Sequence, residues 1–451
     1  MVFSRYSAPE FDPYGDARAL PDDDAWPAPL AAGALDAELG LPGSKSLTNR
    51  ELVLSALAEG RSTVRAPLRS RDTALMIEAL RSLGTTIRES SATGDFGADL
   101  IVEPAEELLG STTIDCGLAG TVMRFLPPLA GLALGPTTFD GDAYAAKRPM
   151  GATITSLRSL GVDVADDGRG TLPFTVHGSG SVRGGEAIID ASRSSQFVSA
   201  LLLAGARFDE GLHLRHEGGP LPSQPHIDMT IAALAARGVA VGAPAPGEWT
   251  LAPQDIAGAD VLIEPDLSNA APFLAAALVT GGRVRLRRWP ASTTQVGAYL
   301  ERILPLFGGT VERDGDVLVV TGGDEILGVD LDLSEGGELA PALAALAALA
   351  STPSTLTGIG HIRHHETDRL AALAAEITGL GGIVTELEDG LRIEPAELHG
   401  GRWHTYSDHR MAHAGALIGL VVPGVVIEDI ATTAKTLPQF PELWTALAGS
   451  I

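Results

Sequence analysis

The feature that most constrains the fold is a unit that recurs five times: an amphipathic helix, a glycine, a strand, a turn and a second strand. The five helix ends read ALRSLGTTI, SLRSLGVDV, AALAARGVAV, RILPLFGGTV and AEITGLGGIV. Their glycines, Gly84, Gly161, Gly238, Gly308 and Gly381, are 77, 77, 70 and 73 residues apart. Glycine adopts the left-handed conformation that ends helices, and the β-branched residues after it favour a strand. This regular spacing predicts repeated structural units.

A sixth helix, FPELWTALAG, comes near the end of the sequence with no strands after it. We expect its strands to come from the N-terminal segment AAGALDAELGLPG, so that the two ends of the sequence share one unit. Other helices, such as ELAPALAALAALA, are apolar on nearly every side, which predicts burial inside a domain. At 451 residues the chain is too long for one ordinary core, so we expect at least two domains.

Charge and cysteine content exclude several classes of protein. The formal net charge of −25 disfavours nucleic-acid binding, which usually needs a basic face. A single cysteine, Cys116, rules out an intramolecular disulfide and a zinc site built on several thiolates, and it fits a cytoplasmic location. No uninterrupted apolar run reaches the roughly 18 to 20 residues that a membrane helix needs. Residues 1–29, rich in Asp and Pro, resemble neither a secretion signal nor a transit peptide and are predicted to be a poorly ordered tail.

Basic residues at predicted helix starts suggest an anion site. PGSKSLTNR places Lys45, Ser46 and Arg50 in the first turns of a helix, although the glycine spacing of a phosphate-binding P-loop is absent. Similar polar helix starts occur in DCGLAGTVMRF, KRPMG, SSQFVSALL, PSQPHIDMT, HETDRLAAL and SDHRMA. Helix capping explains each of them singly. Together they place at least six cations at helix starts of an acidic chain, which predicts a site for multiply anionic small molecules, formed by helix N-termini of both halves.

The histidines of HIRHHETDR raise the alternative of a metal site. The segment contains His361, His364 and His365 beside Glu366. It lacks the HExxH spacing of zinc proteases, and no partner carboxylate is identifiable elsewhere in the sequence. We therefore predict no metal.

These segments, in this order, resemble the 5-enolpyruvylshikimate-3-phosphate (EPSP) synthase family, the 3-phosphoshikimate 1-carboxyvinyltransferases, and most strongly its actinobacterial members. The matching stretches run from residue 41 to residue 444 and also include EPDLSNAAPFLAAA and KTLPQFPELW. The resemblance implies an α/β fold of two similar domains, each of three βαβαββ-type units around buried helices. It places one domain at 44–265 and a discontinuous one at 30–43 plus 266–451.

The resemblance also implies the reaction. The enolpyruvyl group of phosphoenolpyruvate would move to the 5-hydroxyl of shikimate 3-phosphate, with release of phosphate, through addition and then elimination from a tetrahedral intermediate. No metal or organic cofactor is implied. The expected partners are these two small molecules, with no nucleic acid and no membrane, and the expected state is a monomer.

Residue roles follow from the family pattern. Glu338 would accept the 5-hydroxyl proton and Glu366 would protonate C3 of phosphoenolpyruvate, with Lys45 helping at either step. The residues implied to bind shikimate 3-phosphate are Lys45, Ser46, Arg50, Ser194, Ser195, Gln196, Ser223, Glu338 and His365. The residues implied to bind phosphoenolpyruvate are Lys45, Gly120, Arg148, Gln196, Arg369, Arg410 and Lys435.

The sequence departs from the common family pattern at three places. His365 stands where a lysine is usual, which makes the contact sensitive to pH. Glu338 stands where Asp is common and is one methylene longer. Leu118 replaces an asparagine in the Asn-Ala-Gly-Thr stretch, which removes a polar side chain near the phosphoenolpyruvate site.

Lys435 matches a ligand lysine only if no gap follows Arg410.

Three alternatives stay open at this point. The sister transferase that acts on UDP-N-acetylglucosamine typically has Lys-Asn in the first motif and a cysteine before Arg-Pro, whereas this chain has Lys45-Ser46 and a cysteine-free GDAYAAKRP. A non-catalytic sensor of small anions on the same fold is expected to have lost an acid or an arginine of the set. A relative of RNA cyclases, which reuse the repeat, would need a basic surface.

Overall fold

The computed structural model describes residues 25–450, which divide into two compact units. Pro42–Asp266 forms one of them, the continuous unit. Residues 25–41 and 267–450 form the other, the interrupted unit. The chain therefore passes from one unit to the other after Leu41 and after Asp266.

The continuous unit contains six helices and twelve strands. The helices are α1 Lys45–Leu57, α2 Arg71–Ser82, α3 Gly120–Gly131, α4 Gly151–Ser159, α5 Gln196–Gly205 and α6 Gln224–Ala236. The strands are β3 Ser62–Arg65, β4 Thr86–Gly94, β5 Gly97–Glu103, β6 Thr112–Asp115, β7 Leu134–Asp140, β8 Asp163–Ala165, β9 Phe174–Ser179, β10 Gly185–Ile189, β11 Leu212–His216, β12 Gly242–Ala245, β13 Glu248–Leu251 and β14 Asp260–Leu262.

The interrupted unit contributes the remaining elements of the described chain. Its helices are α7 Ala270–Thr280, α8 Leu300–Ile303, α9 Ala340–Ala348, α10 Arg369–Gly379, α11 His409–Gly419 and α12 Phe440–Ala448. Its strands are β1 Ala25–Pro27, β2 Asp36–Leu39, β15 Arg283–Leu286, β16 Thr310–Asp314, β17 Val317–Thr321, β18 Asp330–Asp332, β19 Ser354–Thr357, β20 Ile383–Glu386, β21 Leu391–Glu394, β22 Gly401–Trp403 and β23 Val425–Glu428.

Five four-stranded sheets share one strand pattern. Their orders are β14-β3-β5-β4, β6-β7-β9-β8 and β10-β11-β13-β12 in the continuous unit, and β2-β15-β17-β16 and β18-β19-β21-β20 in the interrupted unit. In each sheet the first pair is parallel and the next two pairs are antiparallel. The repeat that the glycine spacing predicts is confirmed, and with it the α/β fold class.

The five glycines that define the repeat all lie in the left-handed region. Their φ angles are 100°, 96°, 82°, 94° and 91° for Gly84, Gly161, Gly238, Gly308 and Gly381. A side chain is strained at such angles, so glycine is the residue that lets each helix turn directly into the following strand.

The last sheet differs from the expectation. It has three strands in the order β1-β23-β22. The segment AAGALDAELGLPG supplies β2, which pairs in parallel with β15 of another sheet, so the expectation that this segment completes the last unit is wrong. The strand that joins β23 is β1, with Trp26 opposite Ile427. Residues 25–29 of the predicted tail therefore belong to the described fold, and residues 1–24 lie outside the described chain. Ala25–Pro27 form an edge strand because their backbone pairs with β23 and Trp26 packs against the core.

Three buried helices form the centre of each unit. In the continuous unit α1, α3 and α5 pack against one another, and in the interrupted unit α7, α9 and α11 do so. Every residue of α3 and of α9 is buried, as their apolar sequences predict. Cys116 belongs to the core of the continuous unit, and burial beside Asp115 and Asp140 raises the pKa of its thiol. Within residues 25–450, no helix has the length and apolarity to cross a membrane.

Candidate active site

The first helix of the continuous unit begins at the PGSK turn. The Ser44 hydroxyl accepts a hydrogen bond from the Leu47 backbone N–H and caps α1. The Lys45 ammonium lies 3.3 Å from Oδ2 of Asp72, whose side chain is fully buried. The backbone N–H of Lys45 donates to Asp266 Oδ2 over 3.0 Å. The start of α1 is thus fixed at both its backbone and its lysine side chain.

Arg50 lies one turn further along α1 and is buried. Its guanidinium donates to the Thr230 hydroxyl at 2.8 Å and to the backbone carbonyls of Ser46 and His226, each at 2.9 Å. The guanidinium carbon also lies 5.2 Å from the centre of the Phe125 ring. Arg50 therefore connects α1 to α6 beneath Ser46.

Two guanidinium groups converge on the N-terminus of α3. A Cβ atom added to Gly120 would lie 3.0 Å from Arg148 Nη2 and 3.1 Å from Arg124 Nη1. Ala119, at the N-cap, provides no side-chain cap, and Arg148 donates to the Leu118 carbonyl at 3.2 Å. A helix N-terminus already favours negative charge, and two adjacent guanidinium groups strengthen that preference. This arrangement is suited to a carboxylate or a phosphate, and glycine is needed for the close approach.

The serines implied to bind shikimate 3-phosphate include three that lie at two helix starts. Ser195 is the N-cap of α5, and the Ser194 hydroxyl accepts a hydrogen bond from the Gln196 backbone N–H at 3.3 Å. Gln196 Oε1 accepts from Arg124 Nη1 at 2.8 Å, which joins this group to the α3 arginines. Ser223 precedes α6 with φ 53° and ψ 48°, a left-handed conformation that costs a non-glycine residue energy and often marks a functional position.

In the interrupted unit, Glu366 lies between two cations. Lys435 Nζ is 2.5 Å from Glu366 Oε1, and Arg369 Nη2 is 2.8 Å from Glu366 Oε2. The three side chains are largely buried. The structure thus brings Lys435, whose alignment with the family is conditional, to the predicted acid.

Arg369 is the centre of this network. Its Nε donates to Asp408 Oδ2 at 2.7 Å, while the same carboxylate caps α11 by accepting from the Arg410 backbone N–H. Burial alone disfavours the charged form, but Asp408 and Glu366 outweigh it and raise the pKa of Arg369. Arg369 Nη1 also lies 3.0 Å from His365 Nδ1. Because a guanidinium only donates, His365 Nδ1 must accept, and the proton of the neutral ring is on Nε2.

Glu338 lies in the short helical turn Gly337–Leu339 ahead of α9. The Ser268 hydroxyl donates to its Oε1, and Arg410 Nη2 lies 4.0 Å from its Oε2. The Glu338 side chain is 19% exposed. The predicted base is therefore oriented by a hydrogen bond, and part of its surface is accessible.

Four further residues belong to these groups that the sequence-based set omits. Arg124 lies four positions after Gly120, one helical turn, and that spacing is a usable signal for it. Asp408 stands immediately before the helix of Arg410, as a cap does. Asp72 and Ser268 are far in sequence from Lys45 and Glu338, so only the fold brings each pair together. Within the described chain, no three His, Cys, Asp or Glu side chains are grouped as metal ligands.

Comparisons with known proteins identify the family of the chain. The model of the EPSP synthase (3-phosphoshikimate 1-carboxyvinyltransferase) family matches residues 30–444. A 3-phosphoshikimate 1-carboxyvinyltransferase of the actinobacterium Kocuria rhizophila is 58% identical over 95% of this chain and 97% of its own length.

A solved EPSP synthase from Acinetobacter baumannii has a TM-score of 0.78 at 25% identity, covering 94% of this chain and 98% of that one. A second structure of EPSP synthase from the same organism has a TM-score of 0.76 at 24% identity over the same shares, and shows the common fold. The fold is that of an α/β transferase. The chain belongs to the EPSP synthase family, and the resemblance read from the sequence is confirmed.

Proposed function

We propose that this chain transfers the enolpyruvyl group of phosphoenolpyruvate to the 5-hydroxyl of shikimate 3-phosphate and releases phosphate. Family membership over residues 30–444 is the observation that carries this proposal. The charged groups of both units support it, because both substrates are anions and the reaction needs one group that accepts a proton and one that donates a proton.

In the first step the 5-hydroxyl oxygen bonds to C2 of phosphoenolpyruvate, Glu338 takes the hydroxyl proton, and C3 gains a proton from Glu366. The product is a tetrahedral ketal. In the second step the C2–O bond to phosphate breaks while C3 loses a proton, which restores the double bond. The carboxylate and phosphate charges are held by preorganised cations, which is usually the largest part of such catalysis.

The binding residues are assigned to phosphoenolpyruvate, to shikimate 3-phosphate or to both. We assign Gly120, Arg148, Arg369, Arg410 and Lys435 to phosphoenolpyruvate, and Lys45 and Gln196 to both substrates. Arg124 joins this set because it lies against Gly120 beside Arg148. The residues assigned to shikimate 3-phosphate are Ser46, Arg50, Ser194, Ser195, Ser223, Glu338 and His365, with Arg50 acting from beneath Ser46.

The setting of Glu366 suggests how a carboxylate becomes a proton donor. Lys435 and Arg369 stabilise its charged form at 2.5 and 2.8 Å. When anionic phosphoenolpyruvate shares these two cations, their attraction for Glu366 is divided, and its affinity for a proton rises.

Because each unit supplies residues to the reaction, we expect substrates to draw the units together. The enzyme acts as a monomer in the cytoplasm, without nucleic acid or membrane. Small-angle scattering with shikimate 3-phosphate and a phosphoenolpyruvate mimic should give a smaller radius of gyration than the free enzyme. An unchanged curve contradicts ligand-driven closure.

The reaction itself is tested by phosphate release from phosphoenolpyruvate, with shikimate 3-phosphate and UDP-N-acetylglucosamine offered in separate tubes. Release with only shikimate 3-phosphate supports the proposal. Release with only the nucleotide sugar keeps the chemistry and overturns the acceptor. No release with either acceptor favours a non-catalytic sensor of small anions.

A further inference from the structure

We propose that Ser268 is a positioning residue for Glu338, and that its hydroxyl holds the carboxylate where it can accept the proton from the acceptor hydroxyl. The inference rests on the proposed function, in which Glu338 is the base. It assigns a role to a residue that lies 70 positions away from Glu338 in the sequence.

The two oxygens of the Glu338 carboxylate have different surroundings. Oε1 accepts the hydrogen bond from Ser268, which is 7% exposed. Oε2 faces Arg410 at 4.0 Å, and Arg410 is one of the cations proposed to bind phosphoenolpyruvate. A hydroxyl beside a carboxylate can only donate, so Ser268 occupies Oε1. The Ser268 contact therefore fixes one end of the carboxylate, on the side away from Arg410.

Ser268 is itself held on both sides. The backbone N–H of Leu267 donates to Gln295 Oε1 at 3.1 Å, and Asn269 Nδ2 donates to the Thr436 carbonyl at 3.4 Å. Gly297 lies so close to Leu267 that an added Cβ would be 2.3 Å from its backbone carbonyl. A donor anchored in this way can determine where the carboxylate lies, rather than follow it.

The length of Glu338 explains why such an anchor is needed. A glutamate has one more rotatable bond than an aspartate, so its carboxylate samples more positions and loses more entropy when fixed. Proton transfer needs the base within hydrogen-bond distance, and a displacement of about 1 Å can cost on the order of 100-fold in rate. Ser268 therefore makes the longer base as well placed as a shorter one.

The test is steady-state kinetics of Ser268→Ala across pH with shikimate 3-phosphate and phosphoenolpyruvate. We expect kcat to fall about 10-fold, as for a lost hydrogen bond to a charged group, with both KM values within about twofold of the wild type. The acidic limb of the kcat profile should move to higher pH, because a carboxylate that loses a hydrogen bond to its charged form binds a proton more readily. Ser268→Thr keeps the hydroxyl and should restore both properties.

Ser354→Ala is the matched control. Ser354 is a fully buried serine of the same unit, and its hydroxyl accepts a hydrogen bond from the Val329 N–H, away from Glu338. Ser354→Ala should leave the pH profile of kcat unchanged. If Ser268→Ala does not fold, Ser268→Cys, which keeps the size and weakens the donor, replaces it. A wild-type kcat and pH profile in the folded variant overturns the inference, and so does a loss that Ser268→Thr fails to rescue.

Glu338→Gln separates this inference from the proposed function. If Glu338→Gln turns over normally, Glu338 is not the base and the proposed function fails first. If Glu338→Gln is inactive while Ser268→Ala is normal, only the positioning role fails. In the Glu338→Gln background, adding Ser268→Ala should cost no further turnover, and a further 10-fold loss contradicts the coupling.

Discussion

The two units hold their candidate cations in different ways. In the continuous unit, neutral groups provide most of the described contacts: Arg148 contacts a backbone carbonyl and Arg124 contacts Gln196 and the Phe197 ring, while Asp72 contacts Lys45. In the interrupted unit the cations are matched by carboxylates. The pairs there are Lys435 with Glu366, Arg369 with Glu366 and Asp408, and Arg410 with Glu338.

From this difference we infer that the two units contribute differently to substrate binding and to proton transfer. Cations held by neutral partners keep a positive potential for an incoming anion. Cations paired with carboxylates attract an anion less strongly, and two of the paired carboxylates, Glu338 and Glu366, are the groups proposed for proton transfer. We therefore expect the continuous unit mainly to determine KM and the interrupted unit mainly to determine kcat.

The largest effect should come from Glu338→Gln. The amide keeps the shape of the side chain and cannot accept the hydroxyl proton, so kcat should fall by about 100- to 10,000-fold, with substrate binding largely unchanged. Glu335→Gln is the control, because the Glu335 carboxylate accepts from the Tyr299 hydroxyl on the exposed side of the same segment. Near-normal turnover in Glu338→Gln would show that Glu338 is not the base, and the interrupted unit would then have no assigned proton acceptor.

Arg148→Ala should produce the opposite signature. It removes one of the two guanidinium groups at Gly120, and the loss of charged hydrogen bonds should raise the KM for phosphoenolpyruvate about 10- to 100-fold. Arg148→Lys should recover only part of the loss, because an ammonium cannot form the two-pronged contact. Arg158→Ala, which removes a partly exposed pair with Asp166, is the control. An unchanged KM for phosphoenolpyruvate in Arg148→Ala contradicts the expectation that the continuous unit mainly determines KM.

Gly120→Ala tests the role of the same two arginines with a smaller structural change. The new methyl group would lie 3.0 and 3.1 Å from two guanidinium nitrogens, so both arginines must move by a few tenths of an ångström. We expect the KM for phosphoenolpyruvate to rise several-fold, with stability unchanged or higher, because alanine favours a helix by about 0.5–1 kcal/mol over glycine. Gly151→Ala is matched to it: Gly151 also begins a helix, but nothing lies within 4 Å of its added Cβ. Equal KM values for the two variants exclude the close-approach argument.

The smallest effect concerns a histidine that is buried near the paired cations. His413 is buried and stacked on Phe440, and desolvation, with smaller contributions from Arg410 and Arg369, lowers its pKa well below the usual value. The unfolded chain therefore binds a proton that the folded chain does not, and stability falls as pH drops below about 6.5, by about 1.4 kcal/mol per unit for one such group. His413→Phe should flatten this loss in denaturant titrations at pH 5 to 7.

His404 provides a control of opposite sign. Its hydrogen bond to Glu376 raises its pKa, so its contribution to stability is complete below about pH 6.5 and is lost as pH rises through the higher folded value. His404→Gln should therefore be less stable than the wild type below about pH 6.5, and equally stable at pH values above the raised pKa of His404. The same pH trend in both variants contradicts the assignment of the two shifts.

The repeat could be predicted from the sequence because its signals are local. A helix, a glycine that must adopt a positive φ and a β-branched strand follow one another within about ten residues, as at Gly161. The pairing of β1 with β23 could not be predicted, because a three-residue strand has no period of its own and is selected only by the edge that it joins. Composition alone therefore wrongly assigned residues 25–29 to the predicted tail.

The candidate site likewise contains residues that local sequence signals reveal and residues that only the fold brings together. Cations at helix starts, such as Arg410 after its cap Asp408, are visible in sequence because capping and the helix dipole act within one turn. The partners Asp72 and Ser268 are not visible, because a short polar residue far away in the chain gives no sign of which charge it will contact. Those contacts depend on how the buried helices pack.

The buried thiol in the core of the continuous unit makes this enzyme a convenient object for spectroscopy. Cys116 is the only cysteine, it is inaccessible, and its raised pKa keeps it in the unreactive protonated form. Maleimide dyes or spin labels should leave the native enzyme unmodified. A cysteine introduced on the exposed surface of each unit would then carry the whole signal, and the distance between two probes could be followed during turnover without removing any natural side chain.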